Sequence, residues 1–239
     1  MIEAHLAKIR KRDVISPEEE AAIRGAVSEI REIPADKVLI RAGQDLDNST
    51  MLLDGWMARA KDLRTGERQI TELHVPGDFV DLHSFTLKRL EHDILSLTRC
   101  TVGIVPHERL RKITEDYPHL TRVYWFMTNL DAAIHRERAV SLGRRSALSR
   151  TAHLFCEMLV RLDIIGQARS DGYEFPLTQQ ELSECHGLTA VHMNRTLQRL
   201  RQLGLIRLED RQLTILDLPA LTAVADFNPS YLYLEQKSR

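Results

Sequence analysis

The sequence predicts an α+β chain in three parts: a strand-rich first half, a long connecting helix, and a helical second half with a terminal hairpin. Three observations carry this prediction. Short apolar runs separated by turn residues fill 37–106, and an unbroken helical pattern covers 117–142. Two capped helices and a short hairpin follow in 178–216. We expect the domains to span 1–116, 117–142 and 143–239.

The composition is that of a soluble globular protein. The chain has 239 residues, of which 43% are hydrophobic and 28% charged, and its net charge is −1. No apolar run approaches the length of a membrane span, and the charged N-terminus is not a secretory signal. The three cysteines are far apart and odd in number, which favours a reducing compartment without disulfides. We therefore expect a cytoplasmic protein that does not enter the membrane.

The first half begins with a helix and continues as strands. Ser16 and Glu19 form a capping box around a proline, which predicts that a helix begins there. From Lys37 onward, turn residues separate short apolar runs at intervals of roughly eight to twelve residues, and Asp54-Gly55 is a hairpin dipeptide. This spacing predicts a small β-sandwich or barrel.

The connecting helix carries an apolar stripe with the alternating spacing of three and four that a coiled-coil seam has. Its members are Leu120, Val123, Met127, Leu130 and Ile134. Such a stripe either pairs two copies of the chain or packs on the helix's own β-domain. The helix alone does not decide between these two interpretations.

Two helices joined by a turn occupy 178–204. Thr178 with Glu181 forms a capping box, Gly187 can take the positive φ that ends the first helix, and Thr189 caps the second. Leucines at helical spacing (Leu197, Leu200 and Leu203) can face inward from the second helix, which leaves polar and arginine side chains outside. This is the pattern of a helix-turn-helix, whose second helix lies in the major groove of DNA.

A short hairpin follows in 205–216 and turns near Glu209-Asp210, so the second half is a winged helix. Arginines outnumber acidic residues in 190–211, and this local excess suits attraction to phosphate although the whole chain is nearly neutral. A plain helical hairpin with a solvated basic face is the alternative for the two helices alone, and the wing weakens it. Since twofold DNA sites favour dimers, the wing also favours a dimer seam on the connecting helix.

The order of these features resembles the Crp/Fnr superfamily of bacterial transcription regulators along nearly the whole chain. The matching residues are Gly43, Asp54-Gly55, Pro76-Gly77-Asp78-Phe79, Leu177–Glu181, Gly187–Thr189 and Asn194-Arg195. The resemblance implies an N-terminal β-roll (jelly-roll-like) sensor domain, a long dimerisation helix and a C-terminal winged helix-turn-helix domain. It also implies a cytoplasmic homodimer that binds a pseudo-palindromic site on double-stranded DNA and contacts RNA polymerase.

The resemblance also bears on which effector the β-roll takes. Where cyclic AMP-binding members hold the ribose and the cyclic phosphate, this chain has Leu82 and His92-Asp93. Leu82 cannot accept a ribose hydroxyl, Asp93 repels phosphate, and His92 is a weak substitute for a guanidinium. We therefore expect no response to cyclic AMP. The effector-pocket residues at these places are Leu82, His83, His92 and Asp93.

We expect no cofactor. No cysteine precedes Cys100, which excludes the N-terminal iron–sulfur cluster of the oxygen-sensing branch. His74 and His83 lie in the region where a haem ligand would be needed, but isolated histidines are more often hydrogen-bonded residues. Redox sensing through Cys100, Cys156 or Cys185 stays open, although burial would make Cys156 inert. An unknown effector and control by abundance alone also stay open.

The resemblance assigns DNA contacts residue by residue. Arg195 matches the arginine that reads guanine through O6 and N7. Val191 stands at a position that is acidic in the cyclic AMP receptor protein, so we expect it to meet a thymine methyl rather than a cytosine amine. The remaining residues expected to contact phosphates or bases are Thr178, Gln179, Gln180, Thr189, His192, Asn194 and Arg199.

Two other classes of protein share a small β-domain. A cupin-type metalloenzyme needs a His-x-His pair with a downstream Glu and His, and neither His74 nor His83 has such neighbours. A ligand-binding regulatory module without a DNA role would leave the winged helix without a purpose. We therefore predict no enzymatic activity, no catalytic residue and no metal site.

Overall fold

The computed structural model describes residues 2–238, which divide into two compact units. The first unit comprises the described residues up to Ala60, Glu72–Ala133 and those from Tyr233 onward; the second comprises Lys61–Thr71 and Ile134–Leu232. The long helix, predicted as a separate part over 117–142, is divided between the units after Ala133.

Strands dominate the first half of the chain, as predicted. The helices α1 (Glu3–Arg10) and α2 (Pro17–Ala26) precede the strands β1 (Glu29–Ile33), β2 (Lys37–Ile40), β3 (Asn48–Asp54), β4 (Met57–Asp62) and β5 (Arg68–His74). Next come α3 (Ser84–Leu87), β6 (Asp93–Ser96), β7 (Cys100–Pro106), α4 (His107–Asp116) and the long helix α5 (Pro118–Arg144). The capping box of Ser16 and Glu19 is present at the start of α2.

The strands form two sheets with the orders β1-β7-β3 and β2-β6-β4-β5. Pairing is antiparallel between β1, β7 and β3 and between β2, β6 and β4. Apolar side chains from both sheets meet in one core, with Leu52 and Val102 from the first and Met57 and Ile94 from the second. Burial of this apolar surface stabilises the predicted β-roll, which the structure confirms.

A second core lies among the helices of the first unit. Leu6 of α1, Ile23 of α2 and Leu110 of α4 are buried there together with Leu120 and Val123 of α5. The chain itself therefore already covers these two members of the apolar stripe. This agrees with the interpretation in which the stripe packs within its own domain. A seam between two copies would have to use more exposed residues of the same helix.

The second unit is a winged helix with a larger sheet than the sequence predicted. After the end of α5, its elements are α6 (Ala147–Asp163), β8 (Ala168–Arg169), β9 (Gly172–Glu174), α7 (Gln179–His186), α8 (Ala190–Gln202), β10 (Ile206–Glu209), β11 (Gln212–Ile215), α9 (Leu218–Ala225) and a 3₁₀ helix (Pro229–Leu232). The strand order is β10-β11-β9-β8, so β8 and β9 extend the predicted wing hairpin. Among the described residues, no helix has both the length and the apolar character needed to cross a bilayer.

Candidate nucleic-acid interface

Local capping interactions position the two helices α7 and α8. The Glu181 N–H donates to Thr178 Oγ1 over 3.2 Å, and the Thr178 N–H donates to Glu181 Oε2 over 2.7 Å. Gly187 ends α7 with φ 58° and ψ 42°, a left-handed conformation that costs glycine little. Thr189 Oγ1 then accepts from the His192 N–H at the start of α8. The predicted capping box, turn and second cap are all confirmed.

The inner face of α8 differs in part from the predicted leucine row. Leu197 and Leu200 are fully buried, as predicted, and Met193 is buried one turn before them. Leu203 is exposed, since it is the C-cap residue and follows the last helical turn. Apolar contacts on one side thus hold α8 in place, while its opposite side stays in solvent.

The outer face of α8 presents a row of exposed side chains. Val191 is 63% exposed, and Arg195 and Arg199 are also exposed one and two turns farther along the same face. His192 is exposed beside Val191. An apolar group and two guanidinium groups on one helix face can contact base edges and phosphates in a major groove.

Asn194 is only half exposed and has a partner within the chain. Its Nδ2 donates to Gln179 Oε1 over 3.2 Å and so ties α8 to the first turn of α7. The sequence predicted that Asn194 would face adenine if it pointed at base edges. In the structure its amide contacts Gln179, which links the two helices, and the contact with adenine stays a prediction.

The first turn of α7 is exposed at Thr178, Gln179 and Gln180. Their side chains are engaged within the chain, since Thr178 caps the helix, Gln179 accepts from Asn194 and Gln180 donates to Glu184 over 2.9 Å. The backbone N–H groups at this positive helix end remain suited to a phosphate oxygen. A phosphate contact here would therefore use the backbone as well as these side chains.

The wing turns one residue later than predicted. Asp210 and Arg211 occupy the turn with φ 48° and 61°, both in the left-handed region that a two-residue type I′ hairpin requires. Arg201 Nη2 donates to Leu208 O over 3.1 Å and joins α8 to the wing. The exposed Arg207 and Arg211 add positive charge near the tip.

The four residues predicted to line an effector pocket do not share one environment in the first unit. The rings of His83 and His92 lie together, with centroids 5.5 Å apart. Leu82 packs against the helical core, and Asp93 Oδ1 accepts from the Ala42 N–H over 2.7 Å. Burial lowers the pKa of His83 to about 4, so its ring is neutral at neutral pH and offers no charge to a cyclic phosphate.

Arg59 is a buried cation in the same region. The sequence analysis did not single it out. It is 3% exposed, and its Nη1 lies 2.7 Å from both Glu72 Oε2 and Asp131 Oδ2. Its charge acts on His83. The alternation of side chains along β4 could have indicated its burial, because it places Arg59 on the same face of the strand as the buried Met57.

The three cysteines are all buried. Burial raises the pKa of Cys156 to about 11 and that of Cys185 to about 12, and it also raises the pKa of Cys100. Since the thiolate is the reactive form, these thiols are poorly suited to redox sensing.

Two protein-family models match successive parts of the chain. Residues 30–117 match the cyclic nucleotide-binding domain, and residues 149–224 match the Crp-like helix-turn-helix domain. An anaerobic regulatory protein of Haemophilus influenzae is 24% identical over 202 residues, which are 84% of this chain and 78% of that protein. The nitrogen fixation regulation protein FixK of Bradyrhizobium diazoefficiens is 29% identical over 175 residues, 73% of this chain and 72% of that protein.

The solved structures give the same fold. FixK2 from Bradyrhizobium japonicum superposes with a TM-score of 0.76 at 22% identity, over 83% of this chain and 97% of that chain. A regulator from Xanthomonas campestris, described as c-di-GMP responsive, superposes with a TM-score of 0.64 at 14% identity, over 84% and 100% of the two chains. The two domain matches and the regulators related along most of their length lead to one assignment: the chain belongs to the Crp/Fnr superfamily of transcription regulators.

Proposed function

We propose that this regulator binds a pseudo-palindromic site on double-stranded DNA as a homodimer and controls transcription from it. The exposed row of Val191, Arg195 and Arg199 on α8 carries the proposal, because it puts base-reading groups on the solvent side of a firmly packed helix. The mechanism is binding alone, and no catalytic residue is assigned.

Each part of the interface has a distinct role in this proposal. Arg195 donates to O6 and N7 of a guanine, while Val191 contacts a thymine methyl in the same groove. Backbone N–H groups of the first turn of α7 bind a phosphate, and Arg207 and Arg211 of the wing approach another. The remaining proposed contacts to phosphates or bases are the side chains of Thr178, Gln179, Gln180, Thr189, His192, Asn194 and Arg199.

The proposed second copy pairs through α5. Trp125 is 68% exposed on this helix, and a large exposed aromatic side chain on a long helix supports an interface. Met127 and Leu130 are only half buried and stay part of the proposed seam. Ile134 is nearly covered within the chain, so its contribution to a seam is the smallest of the three.

The sensor domain is proposed to work without cyclic AMP. Its interior holds the ion pairs of Arg59 with Glu72 and Asp131, and burial together with the charge of Arg59 lowers the pKa of His83 to about 4. Such a site suits either an effector of different chemistry or none. Contact with RNA polymerase, and a location in the cytoplasm with the DNA, complete the proposal and rest on membership of the superfamily.

The first test is a selection of binding sites from random duplex DNA with the purified protein and no added ligand. We expect a twofold motif whose half-sites lie about one helical turn apart. Failure to enrich any sequence while salt-sensitive binding persists would point to a missing effector. Absence of any DNA binding would contradict the proposal.

The base-reading role has a sharper test. Arg195→Ala should weaken binding to the selected site by about 1–3 kcal/mol and relax the base preference at one base pair in each half-site. Arg169→Ala is the matched control, because Arg169 is an exposed arginine on β8, away from α8 in the sequence. Equal weakening of selected and random DNA by Arg195→Ala would show that Arg195 does not read a base.

A further inference from the structure

The tip of the hairpin formed by β4 and β5 belongs to the second unit. It comprises Lys61–Thr71, while the rest of both strands belongs to the first unit. Backbone hydrogen bonds close the tip, since the Leu63 N–H donates to Glu67 O over 2.8 Å and the Gly66 N–H donates to Leu63 O over 3.0 Å. Gln69 lies on β5 just after this turn, among the residues of the second unit.

The Gln69 side chain contacts the carboxyl end of α7. Its Nε2 donates to Glu184 O over 2.7 Å, and Cys185 O lies at a longer distance of 3.3 Å. The same Nε2 donates to Ile70 O over 3.0 Å, so both N–H groups of the amide have an acceptor. Because carbonyl oxygens only accept hydrogen bonds, the nitrogen of the amide must face the end of the helix.

The last carbonyl groups of α7 need a donor from outside the helix. A continuing helix would supply the Leu188 N–H to Glu184 O, but this N–H donates to Ser183 O over 3.0 Å instead. The Gly187 N–H also donates to Ser183 O. Cys185 is fully buried, and a buried carbonyl group without a partner destabilises the fold. The amide from β5 therefore replaces donors that the turn after α7 takes away.

The same side chain lies against the turn that joins α7 to α8. A Cβ added to Gly187 would lie 3.2 Å from Gln69 Oε1, which is closer than ordinary van der Waals contact. Gly187 has φ 58°, and α8 begins three residues later at Ala190. The path of the chain through this turn sets the angle between the two helices. Both helices contact DNA in the proposed complex, so this angle matters for recognition.

We infer that Gln69 is a positioning residue for DNA recognition. It satisfies the carboxyl end of α7 and contacts the turn at Gly187, and it thereby holds the first turn of α7 and the outer face of α8 in one arrangement. Gln69 lies within residues 30–117, which match the cyclic nucleotide-binding domain, and 115 positions before Glu184. The inference rests on the proposed DNA interface and adds to it a residue that has no assigned contact with DNA.

Amide hydrogen exchange of the full-length protein without DNA, followed residue by residue by NMR, tests the contact with α7. Gln69→Met keeps the length of the side chain but removes both donors, so the Gly187 and Leu188 amides should exchange about three- to tenfold faster. Gln69→Lys supplies an ammonium donor at the negative end of the helix and should restore slow exchange. Gln167→Met is the matched control, because Gln167 is an exposed glutamine of the same unit. It should leave both exchange rates unchanged.

Binding of the same four proteins to the selected DNA site and to random DNA tests the positioning role. Gln69→Met should bind the selected site about three- to tenfold more weakly and random DNA as the wild type does, because phosphate attraction alone needs no fixed angle between the helices. Gln69→Lys should recover the preference for the selected site. A variant that is merely less stable would lose active protein for both DNAs alike, and its preference would not change.

Thermal unfolding shows which variants fold. If Gln69→Met does not fold, Gln69→Glu carries both tests, because it keeps the shape of the side chain and places an acceptor where the donors were. The inference is overturned if the variant without donors leaves the exchange rates or the preference unchanged, if Gln167→Met has the same effect, or if Gln69→Lys restores neither. A wild type that binds no DNA would contradict the proposed function together with this inference. A wild type whose selected site Gln69→Met binds equally well would overturn this inference alone.

Discussion

Replacing Arg59 by Met should destabilise the first unit strongly. The substitution keeps a long side chain but removes the cation between Glu72 and Asp131, each 2.7 Å from Arg59 Nη1. It also removes the hydrogen bond that Arg59 Nε donates to Val80 O over 2.8 Å. The Glu72 side chain is almost fully buried and would lose its guanidinium partner, whereas Asp131 is partly hydrated.

Removing one partner of a buried ion pair costs about 3–5 kcal/mol, because the other charge stays in a medium of low polarity. We expect the free energy of unfolding of Arg59→Met to fall by about 4 kcal/mol for this reason. Urea unfolding followed by tryptophan fluorescence measures it. Both tryptophans, the buried Trp56 and the exposed Trp125, belong to the first unit.

Arg89→Met is the control for the loss of an arginine. Arg89 pairs with Asp45 on the surface of the same unit, and both side chains are mostly exposed. Exposed ion pairs are screened by water and contribute little to stability, so this variant should unfold nearly as the wild type does. If Arg59→Met loses no more stability than Arg89→Met, the buried ion pairs do not stabilise the unit as argued.

Three further predictions concern local structure and pH. Gly77→Ala should lower the unfolding free energy by about 2 kcal/mol or more, because Gly77 has φ +88° and a Cβ would lie 2.5 Å from the backbone of Ala4; unchanged urea unfolding would contradict this. Arg211→Gly should raise the melting temperature of the free protein by relieving about 1 kcal/mol of left-handed strain, and a lower melting temperature would contradict this. Burial raises the pKa of Asp81 to about 7, so the folded state holds a proton that the unfolded state releases. The free energy of unfolding should therefore fall progressively as pH rises from about 4 to about 7. Asp81→Asn should flatten this pH dependence when urea unfolding is measured across the range. Parallel curves of unfolding free energy against pH for the two proteins would contradict the prediction.

The local elements of the DNA-binding half were predictable because their interactions span few residues. Thr178 and Glu181 are three positions apart, and each satisfies the backbone N–H of the other. Gly187 needs only its own backbone freedom to end α7. The position of the exposed Val191 and Arg195 on α8 then follows from helical period, because the buried Leu197 and Leu200 define the opposite side.

Interactions between residues distant in the chain were not predictable in this way. The spacing of Leu120 and Val123 specifies an apolar face, but it does not say whether a second copy or the chain's own helices cover that face. Asn194 meets Gln179 only after α7 and α8 have packed. Arg59 finds Asp131 across 72 positions.

The order of the parts, the caps, the turns and the polar face of α8 can be derived from the sequence, because hydrogen bonds and periodicity within one element specify them. Which charges are buried, and what surrounds them, emerges only when distant parts of the chain pack together. Arg59, which is buried between two carboxylates, and Arg89, which pairs with Asp45 on the surface, look alike as isolated arginines in the sequence. They differ in the folded chain because the cost of burying a charge depends on its neighbours in space.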